Sequence, residues 1–75
     1  MPDVSLQANG AALRITNLLK DAGLTKTTSD AMRMIKQGAV KIDGEKVEDN
    51  RTELEAGSTH IFQVGKRRFA RVTVT

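Results

Sequence analysis

Apolar positions recur along this chain at two different periods, and the change of period divides it. Ile15, Leu18, Leu19 and Ala22 return at the three-to-four-residue spacing of a helix face, which predicts a first helix over Ala11–Ala22 with Gly23 as its left-handed stop. Asn9 is the candidate cap. A second helix starts after Thr27, whose hydroxyl can accept a free backbone N–H while Asp30, three residues on, reaches back in a capping-box arrangement. Ala31, Met34 and Ile35 form its apolar stripe, and Gly38 ends it.

Beyond Gly38 the period falls to two. Residues 39–42 and 45–47 flank Asp43-Gly44, the dipeptide suited to a two-residue type I′ turn, so a tight hairpin is expected. Residues 48–58 read as an acidic polar loop with Leu54 as a plug into the core. A second hairpin joins His60–Val64 to Arg67–Val74 through a type II′ turn at Gly65-Lys66, with Ala70, Val72 and Val74 on one face and Arg67, Phe69, Arg71 and Thr73 on the other. Upstream, Val4 and Leu6 suit a linker end or a short edge strand over residues 1–10, leaving 11–75 as the domain proper. The class that results is α+β, with two helices packed on one face of a small, mainly antiparallel sheet of four to five strands.

Length and charge then narrow what such a domain can do. Seventy-five residues give one core of modest size and no room for a deeply enclosed active site. The absence of cysteine removes disulfides, thiol chemistry and cysteine-based zinc sites, and agrees with a cytoplasmic setting. No apolar run approaches the ~20 residues that span a bilayer.

The net charge of +3 is unevenly spread. Residues 26–42 carry Lys26, Arg33, Lys36 and Lys41 against Asp30, and residues 60–75 carry Lys66, Arg67, Arg68 and Arg71 with no acid. Between them, residues 43–59 hold Asp43, Glu45, Glu48, Asp49, Glu53 and Glu55 against Lys46 and Arg51. If folding joins the second helix's cations, the first hairpin's lysines and the closing arginine cluster on one surface, the field suits a phosphate backbone. No apolar stripe accompanies these charges, so a folded RNA fits better than a membrane. Arg33 and Lys36 lie three apart on one helix face, beside first-turn amides that add an anion site.

Other candidates have plainer readings. His60, the single histidine, has no second histidine or cysteine near it to make a metal site. The acids from Asp43 to Glu55 lack calcium-loop spacing. Phe69 shares a strand face with Arg67 and Arg71, an arrangement able to stack a nucleobase. The favoured expectation is instead that the lead-in around Val4 and Leu6 covers its ring.

The stretch Thr27-Thr28-Ser29-Asp30-Ala31-Met32-Arg33-Met34-Ile35-Lys36-Gln37-Gly38-Ala39-Val40-Lys41-Ile42-Asp43-Gly44-Glu45 resembles the core of the S-four-like (αL-type) RNA-binding domain. Together with Leu18-Leu19-Lys20-Asp21-Ala22-Gly23-Leu24 and Gly65-Lys66-Arg67-Arg68-Phe69-Ala70 it is similar to the C-terminal domain of bacterial tyrosyl-tRNA synthetases. The resemblance spans about residues 11–75. It implies a cytoplasmic, homodimeric class I ligase as parent, with ATP and magnesium in a separate catalytic part. The present domain, non-catalytic, without cofactor and monomeric when isolated, would grip tRNA(Tyr), chiefly at the variable arm and anticodon side.

Carried over by position, the RNA contacts are Lys26, Thr27, Arg33, Lys36 and Lys41, with Lys46, Lys66, Arg67 and Arg68 as a second group. Thr28 and Met32 stand where family members often have basic residues, and Asp43 replaces a frequent turn asparagine, adding a negative charge near the patch. Within the same class, a stand-alone or ribosome-associated S-four-like module or a pseudouridine synthase domain fits the same residues. From another class, a protein-interaction module could use the acidic segment 43–55.

Overall fold

The computed structural model describes residues 2–8 and 12–75. In chain order the elements are β1 (Asp3–Leu6), β2 (Ala12–Arg14), α1 (Ile15–Asp21), α2 (Thr28–Lys36), β3 (Val40–Ile42), β4 (Glu45–Lys46), β5 (Glu53–Glu55), β6 (Ser58–Val64) and β7 (Arg68–Val74). Five strands form one sheet in the order β1-β7-β6-β3-β4, and β2 pairs with β5 in a separate ribbon. Every pairing is antiparallel except β1 with β7. This is the expected α+β class, with one parallel edge and a second small sheet added.

The helices cover one face of the five-stranded sheet. Alternation along β7 turns Ala70, Val72 and Val74 inward, and Phe62 and Val64 of β6 and Val40 of β3 share that side. Against them α1 contributes Ile15, Leu18 and Leu19, and α2 contributes Ala31 and Ile35, all buried. Phe62, fully buried, is the largest side chain in this layer.

Both helix ends follow the local chemistry. Gly23 (φ 79°) and Gly38 (φ 72°) take the left-handed conformation that stops each helix. The hydroxyl of Thr27 accepts the N–H of Asp30 at 3.1 Å, the forward half of the expected capping box. The carboxylate of Asp30 lies instead 3.5 Å from the guanidinium of Arg33.

Four expectations require correction. The first helix begins at Ile15 rather than Ala11, because Ala12–Arg14 are drawn into the ribbon with β5 and Arg14 becomes the N-cap. The Ile15 N–H is satisfied by the Thr52 carbonyl at 2.9 Å, with no capping side chain; Asn9 and Ala11 lie outside the described residues. The acidic loop is likewise not all loop, since Glu53-Leu54-Glu55 alternates out-in-out as β5 and buries Leu54. Three residues are too few to register as a period. The closing hairpin pairs Val64 with Arg68, so its turn comprises Gly65, Lys66 and Arg67 rather than a two-residue type II′ turn.

The fourth correction concerns Phe69, which is 40% exposed. The lead-in does reach the sheet, but as an edge strand beside β7, with Asp3 opposite Arg71 and Leu6 opposite Val74. A strand that pairs in the plane of a sheet cannot lie over its face. The type I′ turn is as expected, with Asp43 at φ 51° and Gly44 at φ 87°.

Candidate nucleic-acid interface

The connector between the helices fixes the first basic group. Leu24 is buried, its N–H bonded to the Leu19 carbonyl at 3.0 Å, and buried Thr25 gives its hydroxyl proton to the Thr27 carbonyl at 3.1 Å. Those bonds shape the backbone on either side of Lys26 and leave its side chain exposed at the start of α2. The Thr27 hydroxyl accepts one N–H in the cap, and its proton is left to offer a ligand.

The second basic group comes from the opposite end of the chain and meets the first at one atom pair. Arg68, first residue of β7, donates from Nη1 to the Leu24 carbonyl at 3.1 Å. That bond ties the closing hairpin to the helix connector. A groove results whose walls include Lys26, Arg33 and Arg68 around an apolar floor of Leu24, Met34 and Val64. Met34, Val64 and Arg68 also line an adjoining depression with Lys66 and Arg67. Five of the nine candidate cations and hydroxyls thus border one continuous strip: Lys26, Arg33, Arg68, Arg67 and Lys66.

Asp30 is the single acid on that strip's walls. Its contact with Arg33 spans exposed side chains three residues apart, an arrangement worth a few tenths of a kcal/mol. A phosphate can therefore displace it at small cost. Lys36 is exposed in the last turn of α2, one turn beyond Arg33.

The hairpin lysines are placed differently from the sequence expectation. Val40 takes the buried face of β3, so Lys41 projects from the opposite face of the sheet, away from the groove. Lys46 crosses Gly38 at the C-terminal end of α2, where a Cβ on that glycine would lie 2.9 Å from Nζ, and its ammonium stands 4.0 Å from the Glu48 carboxylate. A positive charge there complements the helix dipole. Lys46 also borders a hollow walled by Asp43, Glu45, Glu48 and Asp49, so it serves an acidic neighbourhood.

Asp43 has a role beyond its turn that no local pattern announces. Its Oδ1 accepts the Ile61 N–H at 2.9 Å and its Oδ2 lies 2.7 Å from His60 Nδ1. The backbone hydrogen bond from Ile61, followed by that from His60, holds the carboxyl below the usual aspartate range. The charge is thereby turned onto β6, away from the basic strip, and does not oppose phosphate there. Only the β3–β6 register, which is not written locally, could have revealed the contact. Among the described residues no cluster of histidine, cysteine and acid suits a metal, and no helix is long and apolar enough to cross a membrane.

Comparison with known proteins adds a family and a set of relatives. The S4 domain model matches residues 13–60. A protein of Shewanella oneidensis named tyrosine--tRNA ligase is 62% identical over 74 residues, covering 99% of this chain and 18% of that protein. Its namesake in Colwellia psychrerythraea is 56% identical over 75 residues, covering 100% and 19% respectively. Tyrosine--tRNA ligase 2 of Vibrio cholerae is 55% identical over 74 residues, covering 99% and 18%. The chain thus spans less than a fifth of the length of these relatives.

Proposed function

The chain belongs to the S4 domain family, and from that membership we propose that it is the RNA-binding appendage of a tyrosine--tRNA ligase. In this reading it grips tRNA(Tyr), chiefly at the variable arm and anticodon side, while a separate catalytic part performs the ATP-dependent aminoacylation. The observation that carries the reading is the strip on which Lys26 and Arg33 from the helical layer meet Arg68, Arg67 and Lys66 from the closing hairpin, fixed by the Arg68–Leu24 bond. The near-complete alignment with relatives named as tyrosine--tRNA ligases supports the choice of RNA.

The strip binds through charge and position. Lys26 and the first-turn amides of α2 face a phosphate together, since both the ammonium and the helix N-terminus favour an anion. Arg33 and Arg68 offer planar forks that can take phosphate oxygens two at a time. Nothing in the strip reads base edges by construction, so it supplies affinity and register while sequence selection lies elsewhere. A single small basic face binds weakly, and covalent attachment to a catalytic part would raise the effective concentration.

The test is titration of a tRNA(Tyr) transcript, intact or with its variable arm shortened, at several salt concentrations. Arg33→Ala or Arg68→Ala should weaken binding and lower the slope of log K against log salt by about one unit each. Equal binding of both variants and the parent chain at low salt would overturn the reading.

A further inference from the structure

The sheet face opposite the helices carries groups that the groove does not use. Register places Lys46, Lys41, Gln63 and Phe69 in one row across β4, β3, β6 and β7, with Ile61 and Arg71 in the next. Phe69 and Ile61 are 40% and 39% exposed, two of the three large apolar side chains that are exposed among the described residues. Adjacent strands lie about 4.8 Å apart and alternate residues about 6.7 Å apart, so Lys41 stands about 10 Å from Phe69 across the sheet and Arg71 about 7 Å along it. The amide of Gln63 is bound to the Gly65 carbonyl at 2.8 Å and so is held aside from the ring next to it.

We propose that this face is a second RNA-contacting surface, on which an unpaired nucleotide stacks against Phe69 while Lys41 and Arg71 hold the flanking phosphates. The inference rests on the RNA-binding reading and extends it to a surface on the other side of the sheet. Charge selects the occupant. Lys41 and Arg71 flank the two apolar side chains, with the Asp3 carboxylate 3.3 Å from Arg71 and that of Asp43 bound to the Ile61 N–H and turned toward His60, while the Lys46 ammonium lies aside, near Glu48. The core of a protein–protein contact is poor in lysine, whereas a ring set among cations is how single-stranded nucleic acid is held. The ring has an open side because β1 joins β7 edge-on and begins at Asp3, opposite Arg71, short of Phe69. A base stacked on an aromatic needs no matching hydrogen bonds, so the site would take any unpaired base.

The experiment is fluorescence anisotropy of an end-labelled single-stranded RNA octamer with the parent chain and with Phe69→Leu, Phe69→Tyr and Arg33→Ala, each first shown to unfold at the parent's temperature. Phe69→Leu, which keeps apolar bulk but lacks a π face, should weaken binding about tenfold without changing the salt slope. Phe69→Tyr should bind as the parent does. Unaltered affinity in Phe69→Leu would overturn the proposal. If the Phe69 ring protons then shift as protein concentration rises, the face is a protein contact instead. Arg33→Ala reports on the groove separately, so loss of its salt-slope effect counts against the RNA reading as a whole and not against Phe69 alone.

Discussion

At Asp43 one exposed carboxylate extends a strand pairing that the backbone has already ended. Its own N–H donates to the Ile61 carbonyl at 2.8 Å and its Oδ1 accepts the Ile61 N–H, so the side chain stands in for the next rung of the β3–β6 ladder. Since the folded-state pKa is depressed, the stabilisation is complete above the unfolded value of about 3.9 and is lost as pH falls through the lower folded value. Asp43→Asn keeps an oxygen for Ile61 and the left-handed turn, but has no charge to lose. Urea unfolding from pH 6 down to pH 2 should therefore show a steeper acid-side loss for the parent than for Asp43→Asn; parallel curves would remove the carboxylate from the account. An asparagine would serve the left-handed turn equally well, so the acid's distinctive contribution is its charged contact with His60 and Ile61.

Among elements, the junction of α2 with β3 carries the sharpest constraint. Gly38 sits at φ 72° directly after the helix, and the end of the Lys46 side chain fills the space where a Cβ would go. A flexible lysine tip moves aside readily, so the backbone conformation decides the outcome. Gly38→Ala should cost about 1–2 kcal/mol, Gly38→Asn distinctly less, and adding Lys46→Ala should not rescue the alanine variant. Midpoints of denaturant unfolding for the two singles and the double would check this. The ribbon of β2 with β5 has the opposite character. Its strands are three residues each, and it gains its place by burying Leu54 and closing the start of α1 through the Ile15–Thr52 bond.

Across the whole molecule, two layers share a small core in which Phe62 is the central piece. A domain of this size has only about 3–5 kcal/mol in hand. Removing a buried phenylalanine costs about the same. Phe62→Ala should accordingly abolish the cooperative thermal transition seen by circular dichroism at neutral pH, whereas Ile15→Val, costing about 1 kcal/mol, should merely lower its midpoint. The same compactness explains how the basic groups meet. With the α1–α2 connector lying against the first residue of β7, Arg68 can reach Leu24 and complete a strip whose members are distant in sequence. The acids of residues 43–49 gather in a separate hollow that Lys46 and His60 also line, which leaves the strip predominantly cationic.

Local chemistry was enough to write the helix stops at Gly23 and Gly38, the Thr27 cap, the Asp43-Gly44 turn and the inward face of β7. Each depends on residues within a few positions of one another, where backbone sterics and alternation act directly. Family likeness in residues 27–45 carried the RNA-binding class. What only the tertiary structure decided were matters of register and pairing between distant segments: that Lys41 faces away from the groove, that Asp43 turns onto β6, that β2 and β5 pair, and that Phe69 stays bare. Strand order and register follow from how the whole apolar set packs, and no short stretch of sequence holds that information.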